Sequence, residues 1–237
     1  MLILAIPLRQ SRFKRRMIRL SHVNRRYSPT VAALDDVSLE IASNEFVALT
    51  GPSGCGKSTL LHVIGGLDKA DSGDIFVGEI ALHRAGEAEL TEYRRRQLGV
   101  IFQFFHLLPT MTVLENVCLP LLLQGGRMAT VRKRAAELVD LVGLTDRSDH
   151  FPHQLSGGQL QRTAIARALV HEPSVLLADE PTGNLDTASA EQVMSLLQKI
   201  AFQRRTTLLV VTHSEEVARL ADRRIQLRDG RVLRPHK

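Results

Sequence analysis

Nine consecutive residues constrain this chain more than any others: Gly51-Pro52-Ser53-Gly54-Cys55-Gly56-Lys57-Ser58-Thr59. They fit the pattern G-x-x-x-x-G-K-[ST], in which glycines let backbone N–H groups converge on phosphate oxygens. The pattern alone arises by chance in roughly 1% of chains this long at average composition, so its flanks matter. The apolar run Phe46–Leu49 precedes it as a short buried strand, and Ser58–Gly65 follows it as a helix. A helix N-terminus offers unpaired N–H groups and a positive dipole end to the same anion. Lys57 is then placed to reach the β- and γ-phosphates of a nucleotide, and the Ser58 hydroxyl to ligate Mg²⁺. Cys55 reads as a small filler of the loop rather than a redox centre.

A strand, a phosphate turn and a helix belong to an α/β sheet, and the rest of the chain agrees. Ile18–Val23 and Val37–Ile41 alternate like half-buried strands. Val175–Ala178 and Leu208–Val211 are continuous apolar runs, as expected of strands covered on both faces. Ile225–Leu227 and Arg231–Leu233 flank Asp229-Gly230, a favoured hairpin turn. From about Glu87 to Val170 the pattern is mostly helical. Val131, Ala135, Leu138, Val139 and Val142 mark one helical face, with Arg132, Lys133, Arg134 and Asp140 opposite. There is no internal repeat and no sustained heptad.

Composition excludes other classes. Of 237 residues, 44% are hydrophobic and 24% charged, as in an ordinary globular domain. Two cysteines, Cys55 and Cys118, make neither a disulfide scaffold nor a metal framework. No apolar run approaches the roughly 18–20 residues of a membrane span. The net charge of +6 is unevenly spread. Residues 1–26 hold eight basic residues (Arg9, Arg12, Lys14, Arg15, Arg16, Arg19, Arg25, Arg26) and no acid. The remainder carries 23 basic against 25 acidic residues, so the basic excess is assigned to an N-terminal arm. Residues 1–16 read as a basic leader outside the fold, with Met17 a candidate first residue. A basic arm can also touch anionic lipid or nucleic acid. Its apolar patch precedes its charges, the wrong order for a signal peptide.

Two further motifs carry chemistry. The strand Ser174–Ala178 ends in Asp179-Glu180. Carboxylates at a buried strand end need partners, and beside a phosphate loop these are Mg²⁺ and water. Asp179 is placed to hold the ion, and Glu180 to orient or deprotonate the attacking water. Without the phosphate loop this signal is weak. Leu155-Ser156-Gly157-Gly158-Gln159 then precedes the helical stretch Leu160–Val170. It is a second anion-binding helix end. One phosphate loop serves the chain's own nucleotide. A second end is explained if it meets the γ-phosphate held by another copy, which makes the site composite and the working unit a dimer.

On these motifs, residues 17–235 resemble the ATP-binding-cassette ATPases, the nucleotide-binding subunits of ABC transporters. The pentapeptide Leu155–Gln159 is highly specific to that family. The resemblance implies a P-loop NTPase core of mixed sheet with helices, an N-terminal antiparallel β subdomain, and an all-helical subdomain inserted at about 88–170. It implies ATP and Mg²⁺ as cofactors and ATP hydrolysis as the reaction. Tyr27 matches the aromatic that stacks on adenine. Gln103, after Val100-Ile101-Phe102, matches the glutamine that senses Mg²⁺ and the attacking water. Asn184-Leu185-Asp186 matches the loop that crosses the dimer interface, and His213 the histidine at the γ-phosphate. Nucleotide contacts are thereby assigned to Tyr27 and Gly51–Thr59, and in trans to Ser156, Gly157, Gly158, Gln159 and Asp186. Catalysis falls to Glu180, His213, Lys57 and Gln103, and metal binding to Ser58, Gln103 and Asp179. Asn44 stands where the family commonly has glycine, and asparagine tolerates the left-handed turn.

The strings Gly65-Gly66-Leu67-Asp68, His106–Val117 and Pro181–Asp186 look like the lipoprotein-release and macrolide-export type, with similar strings in the cell-division type. The first type implies a subunit that powers export or extraction by a separate transmembrane permease. It implies a homodimer peripheral to the cytoplasmic face of the inner or plasma membrane, and no nucleic-acid partner. Phe104, Phe105, Leu107 and Leu108 are candidate residues of the groove facing that permease. The cell-division type implies regulation of a membrane complex without transport. A soluble cassette acting on DNA would need a long coiled-coil insertion, and one acting on ribosomes usually a second cassette. Neither is present between the motifs, which lie about 100 residues apart.

Overall fold

The computed structural model of the protein describes residues 16–28 and 30–233. Two sheets organise it. Strands β1 (Arg16–Ser28), β2 (Val31–Ala42), β4 (Ser72–Val77) and β5 (Ile80–Ala81) form an antiparallel sheet of order β2-β1-β4-β5. β1 and β2 run well beyond the expected Ile18–Val23 and Val37–Ile41. Their pairing continues through several register shifts, which break the alternation that sequence reasoning relies on.

The expected leader lies outside the described residues except for Arg16. That residue opens β1 opposite Ala42 and pairs with Glu40 at 2.9 Å. Assigning the whole basic excess to an arm needs correction, because Arg16, Arg19, Arg25 and Arg26 are strand residues. All four are exposed or half-buried, the register shifts of β1 allowing neighbours such as Arg25 and Arg26 both to stay out of the core, where acids and rings meet them. Arg25 pairs with Asp68 at 2.8 Å and Asp71 at 2.9 Å, and the Arg19 guanidinium lies 4.4 Å from the Phe76 ring centre.

The second sheet has six strands in the order β10-β9-β3-β8-β7-β6. These are β3 (Phe46–Thr50), β6 (Leu98–Ile101), β7 (Val175–Asp179), β8 (Thr207–Val211), β9 (Arg223–Arg228) and β10 (Arg231–Leu233). All neighbours are parallel except the β9–β10 hairpin, which turns at Asp229-Gly230 with φ of 49° and 75°. Both faces of this sheet are covered, which explains the unbroken apolar runs. Val47, Leu49, Val175, Leu177, Leu209 and Val211 face a core shared with the antiparallel sheet, α1 (Lys57–Ile64) and α2 (Glu87–Arg96). Phe46, Leu176, Ala178, Leu208 and Val210 face a second core with α3 (Val113–Leu123), α4 (Met128–Leu141), α5 (Gly157–Leu169) and α6 (Thr187–Arg204). A short α7 (Glu215–Arg219) follows β8.

The span 88–170 is not wholly helical. β6 lies inside it and pairs with β7 in the six-stranded sheet. α2 also belongs to the core, where the Tyr93 hydroxyl donates to the Ile64 carbonyl at 2.9 Å. The purely helical insertion therefore starts after Ile101. The apolar residues before Gln103 read as a strand, but four residues are too few to show a period, and the pairing with β7 fixes the bounds of β6. Within the insertion α4 buries the expected face: Val131, Ala135, Leu138 and Val139. Asn116 of α3 is fully buried, and its amide group bonds Leu108, Met111 and Thr112, pinning the loop ahead of the helix.

Candidate functional site

The parallel strands bring the expected site residues to one edge. Leu49 is in register with Val211, Val211 with Asp179, and Ala178 with Ile101. Beyond those ends stand the phosphate loop after β3, His213 after β8, Glu180 after β7 and Gln103 after β6. Ligands of open parallel sheets bind outside the carboxyl ends of the strands.

Two glycines of the phosphate loop are required by close approach. A Cβ on Gly51, at φ 150°, would lie 2.1 Å from the Leu227 carbonyl oxygen. One on Gly56, at φ 101°, would lie 2.1 Å from the Ala33 carbonyl oxygen. Gly56 is the N-cap of α1 and provides no side-chain cap, so the first-turn N–H groups keep their donors open. Lys57 is only 6% exposed, and its Nζ donates to the carbonyls of Gly51 at 3.0 Å and Pro52 at 2.8 Å. It is folded over the loop it serves. Cys55 is buried, while Pro52, Ser53, Gly54 and Ser58 are exposed and Thr59 is half-buried.

Glu180 Oε1 lies 2.7 Å from His213 Nε2. Glu180 has φ of 46°, a costly region for a side chain of this kind. The conformation is held by its N–H donating to Val211 at 3.0 Å and its carbonyl accepting from Gly183 at 3.0 Å. Gly183 has Gln103 Nε2 and Glu180 Oε2 as near neighbours, so the glutamine and the glutamate converge on one point. Asn184 Nδ2 donates to the Gln103 carbonyl at 2.9 Å. Asp186 caps α6 by accepting from Ser189 N at 2.9 Å, and hydrogen bonding from the Ser189 side chain, then from its backbone N–H, holds the Asp186 carboxyl below the usual range.

Among the described residues no three His, Cys, Asp or Glu side chains are grouped to hold an ion. An ion here needs mixed oxygen donors. Ser58, Asp179 and Gln103 provide a hydroxyl, a carboxylate and an amide oxygen, the hard set that suits Mg²⁺. The Asp179 carboxylate makes no ion pair or hydrogen bond among the described residues, so it is free for that use. The residues present fit the ion.

Tyr27 stands near the end of β1 with 54% of its surface exposed. Its hydroxyl donates to Asp68 Oδ2 at 2.8 Å and lies 3.5 Å from Thr59 Oγ1. The ring is thus tied to the helix of the phosphate loop. Sequence reasoning missed Asp68 as its partner. The string Gly65–Asp68 included it, but nothing in that string pairs it with a residue 41 positions earlier.

The helix end expected to bind a second anion is elsewhere. Ser156 caps α5 in a reciprocal box with Gln159. Gly157 packs against Leu185 of the loop after Glu180, and Gly158 against Ser189 in the first turn of α6. The strand ends bring Lys57, Glu180, His213 and Gln103 to one edge of the six-stranded sheet, while Tyr27 of β1 reaches Thr59 of α1. Ser156, Gly157, Gly158 and Gln159 gather around Asn184–Ser189 instead.

Beside Gln103 an apolar groove of about 440 Å³ opens between β6, α3 and α5. Phe102, His106, Leu119, Pro120, Leu123 and Arg167 line it. The four residues expected for this groove are not among its lining. Phe104 and Leu108 are exposed beside it, while Phe105 and Leu107 are half-buried. Phe105 and His106 both have positive φ, and Arg167 donates to both their carbonyls. This reversal turns Phe104 outward. No helix of the described residues is long and apolar enough to cross a membrane.

Comparison with known proteins bears on this geometry. The ABC transporter family model matches residues 34–183. The lipoprotein-releasing system ATP-binding protein LolD of Treponema pallidum is 49% identical, over 86% of this chain and 90% of its own length. An ABC transporter ATP-binding protein of Methanocaldococcus jannaschii, MJ0796, is 46% identical over 93% of this chain and 97% of its own. The dimeric structure of MJ0796 in a post-hydrolysis state, bound to ADP and Pi, superposes with a TM-score of 0.86. It covers 93% of this chain and 98% of that one at 44% identity. The aligned strand ends, the glycine-dependent phosphate loop and these likenesses place the chain in the ABC transporter family, as one of its ATP-binding, ATP-hydrolysing cassettes.

Proposed function

We propose that this cassette works as a head-to-tail homodimer that powers a separate membrane permease, releasing or exporting a lipid-anchored substrate. The groove beside Gln103 carries this reading. Its surface is mostly apolar, its lining includes Phe102 next to Gln103, and its size suits a short helix of a permease loop. Relatives near half identity are named for lipoprotein release, which supports the substrate class. The cassette then sits at the cytoplasmic face of the membrane, held by its partner.

In the proposed cycle the open N–H groups of α1 and the Lys57 ammonium take the β- and γ-phosphates. Lys57 exchanges two carbonyl partners for phosphate oxygens, and Tyr27 stacks on adenine. Ser58, Asp179 and Gln103 would hold Mg²⁺, which neutralises charge on the phosphate oxygens. Glu180 accepts the proton of the attacking water, and His213 donates to the γ-phosphoryl oxygens. Ser156, Gly157, Gly158, Gln159 and Asp186 of the second copy close the site, since Lys57 and the start of α1 already serve the phosphates held by the first.

The test is capture of partners from native membranes by the Glu180→Gln form with ATP and Mg²⁺. A permease with few spans and a large extracytoplasmic domain is the expected outcome. A division-complex protein would replace transport with regulation, and recovery of ribosomal or DNA-bound proteins alone would overturn the membrane reading.

A further inference from the structure

Behind Tyr27 lies a charged network that none of the expected roles uses. Asp68 is its hub. Its carboxylate accepts from the Tyr27 hydroxyl at 2.8 Å and from the Lys69 N–H at 2.8 Å. It also takes a two-point contact from Arg25, with Nη2 at 2.8 Å and Nε at 3.1 Å. Arg25 is fixed in turn by Asp71 at 2.9 Å, and Asp71 also accepts from the Arg26 backbone N–H at 2.6 Å. The Arg25 guanidinium then stands 4.8 Å from the centre of the Tyr27 ring.

The chain brings Asp68 there by a reversal. Gly66, at φ 61°, turns the backbone after α1, and the N–H groups of Leu67 and Asp68 both return to the His62 carbonyl. Asp68 therefore stands beside the helix whose first turn belongs to the phosphate loop. Tyr27 touches both, through Asp68 and through Thr59. The distance between an aromatic platform and the phosphate loop is thus set by one carboxylate.

We propose that Asp68 is a positioning residue for nucleotide binding: with Arg25 behind the ring, it locks Tyr27 so that the opposite face is presented to adenine. This rests on the reading of Tyr27 as the adenine platform. Three features favour the arrangement. The phenol-to-carboxylate bond is charge-assisted and fixes the ring more firmly than a neutral partner would. The cation covers one face, leaving one face for stacking. Burial raises the Asp68 pKa, but the Tyr27, Lys69 and Arg25 bonds outweigh it and hold the carboxyl below its usual range, so the lock is charged at neutral pH.

The experiment measures ATP hydrolysis by the full-length protein in Asp68→Asn, Tyr27→Phe, their double variant and Tyr27→Ala. Inorganic tripolyphosphate serves as a competitive inhibitor without a base. Asp68→Asn is expected to raise KM for ATP about 5-fold, the loss of one net hydrogen bond, with kcat unchanged and the tripolyphosphate inhibition constant unchanged. Tyr27→Phe loses the same bond, so the double variant should be no worse than the stronger single one. Additive losses, or equal weakening of tripolyphosphate, would show that Asp68 supports the phosphate loop generally and would overturn the proposal. A normal KM in Asp68→Asn with a raised KM in Tyr27→Ala overturns this inference alone. A normal KM in Tyr27→Ala removes the platform reading, and the inference with it.

Discussion

The molecule has two glycine-rich helix ends, and they treat their backbone donors in opposite ways. α1 starts at Gly56 in a left-handed conformation, with no side-chain cap. α5 starts at Ser156, whose hydroxyl accepts from Gln159 N while Gln159 Oε1 accepts from Ser156 N at 2.9 Å. An uncapped helix end costs stability unless something else satisfies or holds it. For α1 that support is tertiary: Gly51 and Gly56 are wedged against the carbonyls of Leu227 and Ala33, and Lys57 is buried. The end of α5 is exposed or half-buried and supports itself locally. One helix end keeps its donors open and the other satisfies its own, the difference that the proposed in-cis and in-trans roles call for.

Removing the charge of the ready end should have the largest effect. Lys57→Ala is expected to weaken ATP binding by about 100-fold or more, since a charge-assisted contact to phosphate is lost. Calorimetric titration checks this, and retained tight binding would remove the phosphate-loop half of the comparison. Glu180→Gln should lower kcat by about 10³-fold, within the usual range for a general base, while ATP affinity is kept. Sizing in ATP should then show accumulated dimer; turnover at the parent rate would show that Glu180 is not the base.

Ser156→Ala tests the self-satisfied end. It should cost about 1 kcal/mol of stability through the lost cap, measured by denaturant unfolding, and leave ATP binding by the monomer unchanged. A loss of monomer affinity would mean that the two ends are not independent. A neighbouring residue sharpens the point. Gln161 of α5 is fully buried, and neither atom of its amide group has a partner among the described residues. Gln161→Met should therefore stabilise the monomer by about 1 kcal/mol. Destabilisation would show that the amide is already satisfied.

The smallest effect concerns the far end of α5. Burial lowers the pKa of His171, and its bond to the Leu98 carbonyl only partly offsets this. The unfolded chain binds this proton near pH 6.5 while the folded one does not. Stability should be complete above that pH and fall as pH drops from there towards the lowered folded value. The difference in unfolding midpoint between the parent and His171→Gln, followed from pH 7 to 5, isolates this one group; identical pH profiles would exclude it.

Much of the site was legible because its signals are local. The phosphate loop needs glycines, a lysine and a hydroxyl in one short run. Asp179-Glu180 and His213 each close an apolar run long enough to read. Other features had no such signal. The bounds of β6 are fixed by its partner β7, and those of β1 and β2 by pairing that outlasts their alternation. The Asn184 bond to Gln103 spans 81 residues, and the Tyr27 bond to Asp68 spans 41. Side chains that far apart in sequence carry no shared period.

From its sequence alone this chain was committed to a covered parallel sheet with a phosphate-loop turn, and to a second glycine-rich helix start capped by a serine. Glycine spacing and apolar runs are properties of consecutive residues, so they survive without the fold. The tertiary structure decided which strand ends stand side by side, how far the basic segment enters the antiparallel sheet, and which carboxylate holds Tyr27. Those outcomes depend on strand register and on chain reversals such as the one at Gly66, where contacts between distant segments choose the geometry.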